Sequence, residues 1–232
     1  MNIVDIVSIV IIVLGALIGF KKGAIKGLVQ LIGLVAIVIC AFQFKGILGN
    51  FFIKHLPFFN FGGPLTDLYT FNFIVYEGIA FIVIFILLYC ILNILINLSG
   101  ILDLLVKMTI ILEIPNKIIG TVLGMLEALV FIFVLAFGLL QFGPTQSYVM
   151  DSTVTKAIVE RTPVVNDVFR SAIIASEEIY NTVDKYKEST NKLDANLDII
   201  RTLVKYGIVS SSDVQTAIDN GKLHMDNVVV AS

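Results

Sequence analysis

Tryptophan is absent from the 232 residues, cysteine occurs twice, and only 15% of the chain is charged. Each shortage excludes something. Cys40 and Cys90 both fall inside long apolar runs, so they build no disulfide framework and read as buried, inert thiols. Without tryptophan, an aromatic belt at a membrane surface has to come from tyrosine and phenylalanine. Soluble domains are about 25% charged, whereas this chain is 57% hydrophobic with a mean hydropathy of +0.95, which speaks for a membrane protein. Lys and Arg number 16 against 18 Asp and Glu, so the basic excess of a nucleic-acid binder is missing. His55 and His224 stand apart from any Cys, His or carboxylate at ligand spacing, and no metal or other cofactor is expected. There is no nucleophile elbow, phosphate-cradling glycine loop or HExxH pattern, and the chain reads as a non-enzyme.

The charge that exists is segregated. Residues 1–144 hold 7 Lys and Arg and 6 Asp and Glu, while residues 145–232 hold 9 and 12. The reading is an integral membrane domain over 1–144 and a mildly acidic extramembrane tail over 145–232.

The membrane part is organised around Gly15, Gly19, Gly23 and Gly27, glycines at every fourth position with Lys21, Lys22 and Lys26 among them. Glycine costs about 1 kcal/mol against alanine in a helix. In lipid the spacing has a reason, since residues i and i+4 share a helix face and a stripe without Cβ atoms lets two backbones approach closely. The stretch reads as a tight transmembrane hairpin with a basic turn. Apolar runs flank it, Ile3 to Phe20 and Ala24 to Phe44, each near the ~20 residues that cross a bilayer. The first lacks a basic n-region and a cleavage site, so it reads as an uncleaved span. A third span covers about Phe73 to Leu98 and a fourth Ile118 to about Phe142, ended by Gly143 and Pro144. Lys45 to Asn72, with clustered phenylalanines around Pro57, is expected as a loop sunk among outer headgroups. Ile101 to Glu113 is short for a span and fits an interfacial helix, a re-entrant segment being the alternative. The positive-inside rule places Lys21, Lys22, Lys26 and Lys117 in the cytoplasm, with the N-terminus and the tail outside.

The tail is helical by pattern. Asp151, Ser152 and Thr153 offer N-caps for a short helix to about Arg161, and Pro163 suits the first position of a second one reaching Val183. Leu193 to Val204 carries a third, stopped at Gly207, and Ser210 to Asp213 caps a fourth ending at Asn220 and Gly221. The apolar stripe is modest, so a small bundle or arm needing a partner or self-association is expected.

Two stretches carry a family resemblance. Gly19-Phe20-Lys21-Lys22-Gly23-Ala24-Ile25-Lys26-Gly27-Leu28, preceded by Asp5 and an apolar run, is similar to the Arg-Gly-Phe-rich turn of the colicin V production protein family (CvpA). Asn116-Lys117-Ile118-Ile119-Gly120-Thr121-Val122-Leu123-Gly124 resembles that family's Asn-(Lys/Arg)-x-x-Gly-x-x-x-Gly start of span four. The resemblance covers residues 1–144. It implies a four-span bacterial inner-membrane protein linked to toxin (colicin V or bacteriocin) production or export and to envelope homeostasis. The tail lies beyond the family core, and Glu127 stands where a basic residue is expected.

Glu127 is the sharpest site candidate. It lies about 13 Å into span four, and Gly120, Gly124 and Glu127 share an arc of about 60° on the helix. An ionisable group at that depth is a functional candidate, with Lys22, Lys26 or a second protomer as partner; the plainer reading is a carboxyl that holds helices together. Glu77 and Asp5 are expected near outer span ends, among headgroups and water. Lys21, Lys22, Lys26 and Lys117 set topology and suit anionic lipid heads at about 1 kcal/mol each. Gly15, Gly19, Gly23, Gly27, Gly120 and Gly124 are packing positions. The fold expected is all-α, four transmembrane helices and a helical extramembrane region. Its expected partners are the bilayer and a second copy or other membrane proteins. As function, a scaffold or assembly factor is favoured, the alternative being a small oligomeric channel or transporter subunit with Glu127 in the path.

Overall fold

The structure is a computed structural model and describes residues 2–98, 113–140, 145, 148–149, 151–154, 157–158, 165–189 and 192–223. Among these the regular structure is helical, without strands. The helices are α1 (Ile3–Lys22), α2 (Ala24–His55), α3 (Phe71–Leu98), α4 (Glu113–Leu140), α5 (Val165–Lys185), α6 (Leu193–Lys205) and α7 (Ser211–Asp219), with a 3₁₀ turn at Gly63–Leu65. Four of them, α1 to α4, are long and apolar enough to cross a membrane. The segment 101–113 read as an interfacial helix lies almost wholly outside the described residues, as does much of the first tail helix.

Two boundaries differ from the sequence reading. Between α1 and α2 the turn is a single residue, Gly23, whose φ of +76° is open to glycine without a steric cost. At the other end α2 does not stop at Phe44 but continues to His55. Nothing in 45–55 breaks a helix, and Pro57 is the first residue that must. Lys45 suggested an edge because it is charged, yet its side chain turns inward and is buried.

The described residues form two compact units that interleave along the chain. One is drawn from Met1–Ala41, Ile82–Phe137 and Ser147–Asp167, the other from Phe42–Phe81, Gly138–Gln146 and Val168–Ser232. The division therefore differs from the boundary drawn at residue 144, because apolar composition marks what lipid tolerates and says little about which segments pack together.

In the first unit α4 is the central helix. It meets α1 through glycines, and Phe131 packs edge-on against Phe85 and Tyr89 of α3. The outward sides of α1 and α3 are lined by exposed Ile, Leu and Val, as a lipid-facing surface requires. Cys40 and Cys90 lie on such exposed faces rather than buried.

The second unit has a core of its own. Ile53, Leu68, Phe71, Phe73 and Tyr76 pack with Ile179, Ile199, Leu203 and Val214. The tail stripe thus finds its partner within the chain, against the expectation that it needs another protein. The phenylalanines of the 45–72 segment divide accordingly: Phe52, Phe58 and Phe61 lean on this core, while Phe51 and Phe59 stay exposed. Asn196 holds the connecting segment in place, accepting from the Thr70 N–H and hydroxyl at 3.1 and 2.8 Å and donating to the Asp67 carbonyl at 2.9 Å. Asp67, at φ 62°, is the non-glycine residue in the left-handed region there. Lys222 closes the unit by donating to the carbonyls of Ile53, Lys54 and Leu56 at 2.5, 2.8 and 3.0 Å, groups that a helix C-terminus leaves without intrahelical partners. Ser210 caps α7, as the sequence suggests.

Candidate functional site

The glycines of α1 do not serve the α1–α2 hairpin. Gly15 and Gly19 face Gly124 and Gly120 of α4 so closely that the two backbones touch: a methyl at Gly124 would lie 2.7 Å from the Gly19 Cα, and one at Gly15 2.6 Å from the Ala128 Cβ. Side-chain-free faces on both helices permit this approach, the arrangement favoured where lipid offers no hydrophobic drive between helices. Gly27 packs on Leu123, and Gly23 sits under the Asn116 side chain.

In sequence Asn116 is one member of a motif; in the structure it acts as a cap. Its side-chain oxygen accepts from the Ala24 N–H at 2.8 Å, one of the free donors at the start of α2. Lys117 lies over the Phe20 ring at 5.7 Å. Lys21 is exposed and Lys26 half-buried.

Beside the glycine contact, Lys22 donates to Glu127 Oε2 at 2.9 Å, the two side chains 20% and 10% exposed. Of the partners considered for Glu127, Lys22 is the one that meets it. Helix geometry brings this about: Lys22 is one turn past Gly19, and Glu127 follows Gly124 by three residues, so both project from the contact seam. Glu127 Oε1 is buried with no hydrogen-bond donor, as is Gln30 Oε1 on α2.

Asp5 and Glu77 are not among headgroups or water. Asp5, 4% exposed, accepts from the Ser152 hydroxyl at 2.6 Å and the Val154 N–H at 3.1 Å. It therefore caps a backbone turn 147 residues away, and the sequence offered no signal for the pairing. In the second unit Glu77, 3% exposed, is paired with Lys45, and Gly49 makes room for its carboxylate. Opposite charges 32 residues apart on two apolar helices were the available clue. Burying either carboxylate without such partners would cost several kcal/mol. Among the described residues no group of three His, Cys, Asp or Glu gathers at metal-ligand distance.

On the tail, a groove of about 340 Å³ is lined by Glu178, Asn181, Thr182, Asp198, Arg201 and Lys205. Its charges are spent on one another: Lys205 and the Tyr206 hydroxyl donate to Glu178 at 3.1 and 2.5 Å, and Arg201 to Asp198 at 3.2 Å. The Tyr206 bond and then the Lys205 bond hold the Glu178 carboxyl below its usual value of 4.5.

Comparison with known proteins agrees with this architecture. The uncharacterized transmembrane protein YshB of Bacillus subtilis (strain 168) is 29% identical to this chain over 164 residues, 68% of this chain and 90% of that protein. No solved structure matches. The model of the family described as colicin V production protein matches residues 4–163, a stretch that takes in α1 to α4 and stops short of α5. With four apolar helices, two of them joined through glycine-bearing faces, and a transmembrane relative, this multi-pass membrane protein belongs to the colicin V production protein family.

Proposed function

We propose that the chain is a non-enzymatic scaffold or assembly factor of the bacterial cytoplasmic membrane, serving toxin production or export of the colicin V type and envelope homeostasis. The observation that carries this reading is the way Glu127 is used. Its charge is met inside the chain by Lys22, at the edge of a backbone-to-backbone helix contact, so the carboxylate holds helices in place. A bundle fixed in this way suits a framework on which other proteins assemble. With the tail's apolar stripe filled, partners would meet its polar outer surface, and a second copy or another membrane protein would pack on the apolar helices. Gly23 against Asn116 and Phe20 under Lys117 bring Lys21, Lys22, Lys26 and Lys117 to one end of the bundle. The positive-inside rule makes that end cytoplasmic and the N-terminus and tail extracytoplasmic, with Lys21 and Lys26 turned to anionic lipid heads.

A second reading, a small channel or transporter subunit, draws on one observation: the buried Oε1 of Glu127 has no donor. Solute and ion flux from liposomes holding the purified protein separates the two, wild type against Glu127→Gln. The scaffold reading expects no flux from inserted protein, and toxin export in cells that survives Glu127→Gln. Flux that disappears in the variant would overturn it in favour of transport.

A further inference from the structure

Three polar side chains of the first unit share one level of the bundle, and their hydrogen bonds do not balance. Gly15 meets Ala128, Gly19 meets Gly120 and Gly23 meets Asn116, so α1 and α4 run antiparallel. Side chains lean back toward the N-terminus of their own helix. Lys22, the last residue of α1, therefore reaches away from the turn, and Glu127 reaches toward it. A lysine at a span end ordinarily extends outward to the interface; this one is held inward by the carboxylate. Helix α2, turned back at Gly23, runs alongside α4 with Gly27 on Leu123. Gln30 and Glu127 each follow that contact by about one turn.

The Lys22 ammonium has three N–H groups, and Glu127 Oε2 takes one. Among the described residues the other two meet no acceptor. Glu127, 8% exposed, keeps Oε1 without a donor, and so does Gln30. Spare donors and spare acceptors thus stand at one level. A second cation would serve the acceptors only and be repelled by Lys22; an anion would serve the donors only and be repelled by Glu127. A neutral molecule that both donates and accepts serves all of them, and water is the smallest. The direction of access follows from the same contacts. The Lys22 side chain is 20% exposed beside the turn, whereas beyond Glu127 the backbones of α1 and α4 touch at Gly15 and Gly124.

We propose that Lys22, Gln30 and Glu127 bound a pocket that takes water from the basic end of the bundle and is closed at its far end by the glycine seam. Being one-ended, the pocket carries no flux and is separate from the transport reading.

A nitrile tests this, because its stretching frequency rises when its nitrogen accepts a hydrogen bond from water. Single cysteines in the full chain, with Cys40→Ala and Cys90→Ala, are cyanylated in SDS and refolded into nanodiscs, where unchanged unfolding checks the fold. The nitrile at Gln30→Cys is expected to match the high frequency of one at Lys21→Cys, an exposed site. Those at Ile32→Cys and Leu126→Cys, on exposed apolar sides of the same two helices, and at the buried Val130→Cys past the seam should show the low frequency of an apolar medium. Adding Lys22→Met should leave the Gln30→Cys value high, since the donor is water; adding Glu127→Leu as well should lower it. A low value at Gln30→Cys with the ion pair intact would make the pocket dry and overturn the proposal. A high value lost with Lys22→Met alone would make the ammonium the donor, and a high value at Val130→Cys would carry water through the seam; either result overturns it. At Glu127→Cys, which spares Gln30, the nitrile should read high as well, and a low value there overturns the proposal likewise.

Discussion

A methyl group at position 124 tests whether the backbone contact between α1 and α4 is what the bundle rests on. In Gly124→Ala the new carbon would stand 2.7 Å from the Gly19 Cα and 2.9 Å from its nitrogen. Carbon atoms rest at about 3.5–4.0 Å, so the helices must separate by roughly 1 Å along the seam that also carries Lys22 and Glu127. Overpacking of this kind costs about 1–3 kcal/mol, offset in part by the ~1 kcal/mol that alanine gains over glycine in a helix. The expected loss is up to about 2 kcal/mol. Gly46→Ala supplies the opposite sign, because nothing lies within 4 Å of its methyl; only the helix preference acts, and the variant should match the wild type or gain up to about 1 kcal/mol. Reversible unfolding in mixed micelles with increasing SDS measures both. The pair Gly19→Ala, Gly124→Ala should cost less than the sum of its single changes, since a seam already spread admits the second methyl more cheaply. Equal stability of Gly124→Ala and Gly46→Ala would refute the reasoning, as would strict additivity of the pair.

Lys22→Met strands the Glu127 carboxylate in a mostly apolar setting and should destabilise the bundle by up to about 3 kcal/mol, whereas Lys22→Met with Glu127→Leu should recover most of that loss; a neutral single change in the same unfolding assay would sink the structural reading of the pair. In the tail, Glu178 has a folded pKa below its ordinary 4.5, so its contribution is present above that value and is lost as pH falls through the lowered one. The stability advantage of wild type over Glu178→Gln should therefore hold at pH 7 and close as the pH drops below the ordinary carboxylate range. An advantage that does not vary with pH would contradict that.

Much of the fold was legible because bilayers impose simple rules. Four apolar runs, a glycine turn and the caps at Gly207, Ser210 and Gly221 each follow from local chemistry, and the helices lie close to where these residues put them, although α2 runs on past Phe44 to His55. What was not legible depended on distant segments meeting. Asp5 and Glu77 looked solvated because they sit near the ends of apolar runs, and only the folded chain supplies Ser152 and Lys45 to them. The glycine ladder is legible as a close-packing face, but its mate is α4 and not the neighbouring helix that the hairpin reading implies. Spacing within one helix says which face is smooth and is silent on which helix will use it. The tail's apolar stripe looked incomplete for a related reason, as its complement is the phenylalanine-rich segment far earlier in the chain.

That separation has a consequence in time. Phe42–Phe81 leaves the ribosome before the 86 residues that precede Val168 have been made. At about 5–20 residues per second the wait is roughly 4–17 s. Throughout it Phe71, Phe73 and Tyr76 have no tail to cover them. A nascent chain in this condition is open to capture by chaperones or by other nascent chains, and a chain truncated before α5 would stay in that condition. Helices α5 to α7 are thus the ones that end the exposure, and the clamp of Lys222 on α2 forms only after they have been made.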